Sequence, residues 1–211
     1  MVHIEKNNMK CLIISGGNFE NVKLKDKYNL IIACDKGYLY ANKLNIKPNI
    51  IIGDFDSAKK PNVDIKIIEV SSVKDDTDTG LAVKYALKNG YRNIDIICAL
   101  GKRIDHTLAN ISLMKYIVEH NGKARILSKD AILFTSGVGL IKIKKNNCKF
   151  FSVFSLTDKS KIDYIKGSKF DVENLILKNS FPLGISNEFN KQNISIKIST
   201  GVVLVILVNN E

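Results

Sequence analysis

Residues 1–129 predict an α/β domain, an open and mostly parallel Rossmann-like sheet with helices on both faces. Residues 130–211 predict a smaller all-β antiparallel sandwich or barrel. Three observations lead there. Short β-branched apolar runs recur through the first half, and four of the six stop near a glycine or an aspartate. Helix-like stripes lie between several of them. After about residue 130 the helical period disappears while strand-like runs continue.

The elements follow in order. Residues 11–14 form the first run and end at Ser15-Gly16-Gly17. Residues 30–34 form the second and end at Asp35. Residues 50–52 end at Gly53-Asp54, and residues 65–70 make a fourth run. Residues 94–100 end at Gly101, and residues 124–127 make a sixth. Between them, residues 38–44 suit a short helix before Pro48. Residues 77–88 place Leu81, Ala82, Tyr85 and Ala86 on one face, with Asn89-Gly90 as a stop. Residues 104–120 carry a stripe of Leu108, Ile111 and Met114. In the second half, residues 132–134, 140–144, 150–156, 174–177, 194–198 and 202–208 read as strands.

Composition narrows the function classes. With 45% hydrophobic and 25% charged residues the chain is globular, and no apolar run is long enough to span a bilayer. The first ten residues lack the apolar centre of a signal peptide, so a cytoplasmic protein without a membrane partner is expected. Cys11, Cys34, Cys98 and Cys148 form no C-x-x-C pair and read as buried reduced thiols. The net charge of +11 is spread along a lysine-rich chain with three arginines, without aromatics interleaved in its densest stretch, Lys142 to Lys149. That pattern argues against a nucleic-acid partner, though the excess favours a polyanionic small molecule.

Against this background the acidic residues stand out. In an open α/β sheet, ligands bind at the carboxyl ends of the strands. Asp35 follows the second run, Asp54 and Asp56 the third, Asp75, Asp76 and Asp78 the fourth, and Arg103 and Asp105 the fifth. Crowded carboxylates repel unless a cation sits among them. Hard oxygen ligands select Mg²⁺, which recruits phosphate oxygens. Local readings exist for each piece. Asp76-Thr77-Asp78 suits a helix N-cap, Arg103 and Asp105 suit an ion pair at a helix start, and His106 suits a supporting role. Capping does not explain why all four clusters fall at successive strand ends. No Walker loop and no Gly-x-Gly-x-x-Gly are present.

Three segments carry a family resemblance. Gly53-Asp54-Phe55-Asp56-Ser57, Lys74-Asp75-Asp76-Thr77-Asp78 and Gly101-Lys102-Arg103-Ile104-Asp105-His106-Thr107-Leu108-Ala109-Asn110 resemble the acidic and Arg-x-Asp-His segments of the thiamine pyrophosphokinase (thiamin diphosphokinase) family. Gly184-Ile185-Ser186-Asn187-Glu188 resembles that family's Ser-Asn segment. The resemblance implies a Mg²⁺-dependent transfer of diphosphate from ATP, the co-substrate, to the hydroxyl of thiamine, with release of AMP. It implies metal-side roles for Asp54, Asp56 and Asp78, with Arg103 and Asp105 also catalytic. Asp56 or Asp78 would orient or deprotonate the hydroxyl. ATP contacts would come from Asp35, Lys74 and Arg103, and thiamine contacts from Ser186 and Asn187. It further implies that residues 1–129 bind ATP and that residues 130–211 bind thiamine and form a homodimer with the active site at the subunit interface. Two departures from the pattern are Lys36-Gly37, where two glycines are usual, and Gly80, where a glutamate is frequent. The alternatives are an ATP-dependent pyrophosphokinase acting on another alcohol such as a hydroxymethyl pterin, a nucleotide or thiamine sensor without turnover, and a basic nucleic-acid binder.

Overall fold

The computed structural model describes residues 9–55, 61–71, 76–101, 103–145 and 148–209. The chain divides into two units, Met1–Lys129 and Asp130–Glu211.

Among its described residues the first unit holds six parallel strands: β1 (Lys10–Ile14), β2 (Leu30–Cys34), β3 (Ile50–Gly53), β4 (Lys66–Glu69), β5 (Asn93–Ile97) and β6 (Lys123–Leu127). Their order is β6-β5-β1-β2-β3-β4. Leu12, Ile13, Ile14, Ile94, Ile96 and Ile97 are buried at both parities of their strands, as a sheet covered on both faces requires. The strand order reverses at β1, which pairs with β2 on one side and β5 on the other. A crevice forms at such a reversal because the two neighbouring connections leave in opposite directions.

Among the described residues, three helices join these strands: α1 (Gly37–Lys43), α2 (Asp78–Lys88) and α3 (Ile104–Glu119). Ala41 of α1 packs with Leu12, Ile14 and Ile97. On the opposite parity, Ser15 after β1 meets Thr79 of α2 at 2.8 Å. The architecture departs from simple strand–helix alternation. No helix follows β1 among the described residues. Instead the connection to β2 lays Val22, Leu24 and Tyr28 on the same cluster as α1. Those side chains exclude water from the face that a helix would otherwise cover. This connection is tied down by charge. Tyr28 Oη donates to Asp95 Oδ2 at 2.8 Å, and Arg125 Nε donates to Asp95 Oδ1 at 2.7 Å. Arg125 also pairs with Asp26, which Lys10 meets at 2.9 Å. Asp95 is 5% exposed, so its charge depends on those partners.

The second unit is antiparallel throughout its described strands: β7 (Ala131–Ser136), β8 (Gly139–Lys144), β9 (Cys148–Ser155), β10 (Lys159–Lys166), β11 (Val172–Lys178), β12 (Asn187–Glu188), β13 (Asn193–Thr200) and β14 (Val203–Asn209). They make two groups, β12-β9-β14-β7 and β11-β10-β13-β8. One hydrophobic cluster takes Phe151, Val153, Val205 and Leu207 from the first group and Ile143, Ile162, Leu177 and Ile196 from the second. Alternation within each strand sends the intervening lysines of β8, Lys142 and Lys144, to solvent.

Candidate active site

The first unit contains a cavity of 540 Å³, within the usual size range for a small-molecule site. It opens at the carboxyl ends of β1, β2, β3 and β5, beside the reversal at β1. Asp35, Asp54, Asp78 and Arg103 all line it, with Ser15, Gly17, Asn18, Lys36, Thr77, Thr79 and His106.

Each group arrives by a local cause. Asp35 ends β2 in the left-handed region at φ 44°, and its N–H donates to the Ile52 carbonyl at 2.8 Å. Phe55, next to Asp54, has φ 56°, and Cys98 after β5 has φ 54°. Left-handed backbone at side-chain-bearing residues costs about 1 kcal/mol each, and its clustering at three strand ends marks a constrained site. Gly17 permits the β1 and β5 ends to approach: a Cβ there would meet the Cys98 carbonyl oxygen at 2.5 Å. Thr77 caps α2 by accepting the Gly80 N–H at 3.0 Å. Asp78 therefore starts the helix at the cavity edge, and Cys34 Sγ donates to its carbonyl at 3.6 Å. On the far side, the buried Asn110 of α3 donates to the Ala99 carbonyl at 2.7 Å and fixes the turn after β5.

Arg103 is held by Asp105 in a two-point contact, Nε to Oδ1 at 2.9 Å and Nη2 to Oδ2 at 2.6 Å. Asp105 does not line the cavity. The Arg103 hydrogen bonds keep its carboxyl well below the ordinary carboxylate range. The arrangement leaves the other guanidinium edge, Nη1 and one Nη2 hydrogen, for an anion.

Asp56, Lys74 and Asp75 lie outside the described residues. Among the described residues, no three His, Cys, Asp or Glu side chains gather closely enough to grip a metal ion alone. The donor chemistry nonetheless fits Mg²⁺. Asp35, Asp54 and Asp78 offer only hard oxygen atoms around one cavity. Mg²⁺ ordinarily binds through one or two carboxylates with substrate phosphates and water filling the rest of its shell.

In the second unit, Ser186 is exposed at φ 57°, and its N–H donates to Ser152 Oγ at 3.0 Å. The Asn187 amide is engaged by its own chain. It donates to Ser168 Oγ at 3.3 Å and to the Phe170 carbonyl at 2.9 Å. It accepts from the N–H groups of Phe170 at 3.1 Å and Glu188 at 2.8 Å. Its side chain thus shapes the loop behind Ser186 and holds the backbone of Phe170, a residue that is 57% exposed. Sequence reasoning does not single out Phe170, Asn18 or Thr79, and it marks Lys36 only as a departure from the family pattern. For Lys36 and Asn18 a usable signal existed, since both lie within four residues of a strand's carboxyl end.

Comparison with known proteins agrees in both units. Residues 22–126 match the family profile described as thiamin pyrophosphokinase, catalytic domain, and residues 140–203 match thiamin pyrophosphokinase, vitamin B1 binding domain. The chain is 27% identical to the thiamine pyrophosphokinase of Bacillus subtilis, over 94% of this chain and 98% of that one. It is 25% identical to thiamin pyrophosphokinase 1 of Caenorhabditis elegans, over 90% of this chain and 83% of that one. The crystal structure of the Bacillus subtilis protein superposes with a TM-score of 0.85, covering 96% of this chain and 100% of that chain at 25% identity. The Candida albicans thiamin pyrophosphokinase shares the fold at a TM-score of 0.77 and 18% identity, over 96% of this chain and 90% of that one. Two profiles of a single family, matched in order along most of its length, establish that the chain belongs to the thiamin pyrophosphokinase family.

Proposed function

We propose that this protein transfers the diphosphate of ATP to the hydroxyl of thiamine in one Mg²⁺-dependent in-line step. Family membership supports the reaction. The observation that carries the site assignment is the meeting of Asp35, Asp54, Asp78 and Arg103 in one cavity at the strand-order reversal. The thiamine hydroxyl oxygen attacks the β-phosphorus of ATP. The bond from that phosphorus to the α-phosphate oxygen breaks, and AMP leaves with the electron pair. The hydroxyl proton passes to a carboxylate, Asp78 or Asp56.

Phosphoryl transfer asks a protein mainly for positioning and charge neutralisation. Arg103, preset by Asp105, meets the phosphates, and Lys74 adds a second cation. Asp35 sits on the nucleotide side. Asp54, Asp56 and Asp78 are the residues that would hold Mg²⁺, which would supply positive charge to offset that of the phosphates. Ser186 hydrogen-bonds the pyrimidine of thiamine, with Asn187 holding the loop behind it. Phe181, Leu183 and Ile185 are 63%, 55% and 58% exposed in the segment leading to Ser186. An apolar surface of that kind supports a homodimer with the active site at the subunit interface.

The test is AMP release from ATP with thiamine as acceptor, run with and without Mg²⁺ and with a hydroxymethyl pterin in parallel. AMP with thiamine alone is expected. AMP with the pterin alone would move the assignment to a different alcohol, and nucleotide binding without AMP would make the protein a sensor.

A further inference from the structure

The cavity edge formed by Thr77, Asp78 and Thr79 is supported from outside the cavity. Asp76 precedes the helix cap, and its Oδ1 accepts the Thr77 N–H at 2.9 Å. Its Oδ2 lies 2.7 Å from Lys84 Nζ, on the second turn of α2. Between these two anchors the carboxylate crosses the bare Cα of Gly80. A Cβ built on Gly80 would strike Asp76 Oδ1 and lie 2.9 Å from its Cγ. A side chain at position 80 and the observed place of the Asp76 carboxylate therefore exclude each other.

We infer that Asp76 is a positioning residue for the nucleotide, with Gly80 as the gap that admits it and Lys84 as its anchor. Asp76 does not line the cavity and acts through its neighbours. By tying the residue before the helix to the helix's own second turn, it sets where Thr77 caps. The cap in turn sets where Asp78 enters the cavity and where Thr79 meets Ser15 at 2.8 Å. Lys84 has a second effect. A helix N-terminus attracts anions, and an unpaired carboxylate beside it would oppose a polyphosphate. The ion pair cancels that charge while keeping the tether.

The inference rests on reading the cavity as the ATP site, and the experiment separates the two. Four proteins are compared: wild type, Asp76→Ala, Gly80→Ala, and the double variant Asp76→Ala with Gly80→Glu. Each is measured for steady-state AMP release and for equilibrium affinity toward a non-hydrolysable ATP analogue with Mg²⁺. Asp76→Ala should weaken analogue binding and raise KM for ATP about tenfold, leaving KM for thiamine unchanged, because a displaced positioning group costs one substrate. Gly80→Ala should do the same by evicting the carboxylate. The carboxylate that Gly80→Glu introduces stands four residues before Lys84 and can form the ion pair from the helix itself, but it does not replace the acceptor of the Thr77 N–H, so the double variant should stay as weak as Asp76→Ala. Analogue affinity within about twofold of wild type in Asp76→Ala, or a double variant that recovers to within about threefold of wild type, overturns the assignment. A wild-type protein that binds the analogue but releases no AMP refutes the functional reading, while the analogue affinities still decide the role of Asp76. A wild-type protein that binds no analogue overturns both.

Discussion

The Arg103–Asp105 contact separates a functional from a structural use of charge. Replacing Asp105 with Asn keeps the shape and removes the attraction. Both side chains are largely in water, 72% and 62% exposed, so the pair adds little to folding. Its effect should appear where Arg103 meets the cavity. The two-point contact fixes the guanidinium plane, and one edge remains for phosphate. Released from Asp105, the long side chain spreads over several rotamers, and only a fraction point inward. Restoring that order on binding should raise KM for ATP about fivefold. KM for thiamine should be unchanged, and the melting temperature should move by less than about 2 °C. Arg103→Met removes the cation itself and should lower kcat/KM by about 100-fold. The pH dependence has a definite sign. Arg103 holds the Asp105 carboxyl below its ordinary value, so the pair persists above the usual carboxylate range and is lost only as pH falls through the depressed value. From neutral pH down to about 5 the wild-type KM for ATP should therefore not rise through this pair. Initial rates of AMP formation at fixed thiamine, with melting curves on the same samples, check each number. An Asp105→Asn protein with unchanged KM for ATP, or one that loses stability and both substrates together, would refute the reasoning.

Other outcomes follow from the same geometry. Asp54→Asn and Asp78→Asn should each lower turnover at least about 100-fold with circular dichroism unchanged, and near-normal rates in both would remove the metal-site assignment. Ser186→Ala should raise KM for thiamine more than KM for ATP, whereas equal changes would take Ser186 away from the vitamin. Asp95→Ala breaks a buried pair and should cost about 3 kcal/mol, a melting-temperature drop of roughly 6–12 °C, while a drop under about 2 °C would show Arg125 adequately served by Asp26 alone. Asp26 is held below its ordinary value by hydrogen bonds from Lys10 and Arg125, and Glu188 by Lys169. Both contribute stability that is present above the unfolded carboxylate range and lost as pH falls through the folded values. Unfolding midpoints in urea should therefore decrease below about pH 4, and midpoints that rise there would contradict both pairings.

How far the sequence discloses this fold depends on whether burial is periodic. Residues 77–88 have a clean stripe and a cap, and α2 occupies Asp78–Lys88 with Thr77 as the cap. The core strands of the first unit announce themselves because a sheet covered on both faces needs unbroken apolar runs. β10 gives no such signal. Its register shifts between Ile162 and Tyr164, so Ile162 and Ile165 are both buried three residues apart, and the two-residue alternation is lost. The connection after β1 is hidden for another reason. Val22, Leu24 and Tyr28 reach the sheet from a loop, where no backbone period relates one buried residue to the next.

The site shows the same division between position and conformation. An aspartate at the end of a parallel strand must lie on the ligand-binding edge of the sheet, and that topological fact needs no side-chain detail. Asp35 and Asp54 line the cavity for that reason, and Asp78 joins them from the capped start of α2. What a strand-end argument cannot supply is the direction in which a side chain is committed. Asp105 follows the same strand as Arg103, yet its two oxygens turn back to the guanidinium. Asn187 adjoins Ser186, yet its amide is satisfied by four hydrogen bonds with Ser168, Phe170 and Glu188. In both pairs one residue faces outward because its neighbour's hydrogen bonds hold it there. Adjacent polar residues in a loop therefore divide into a presenting group and a holding group. Substitution tells them apart: loss of the presenting group removes a contact outright, while loss of the holding group only broadens the orientations from which that contact forms.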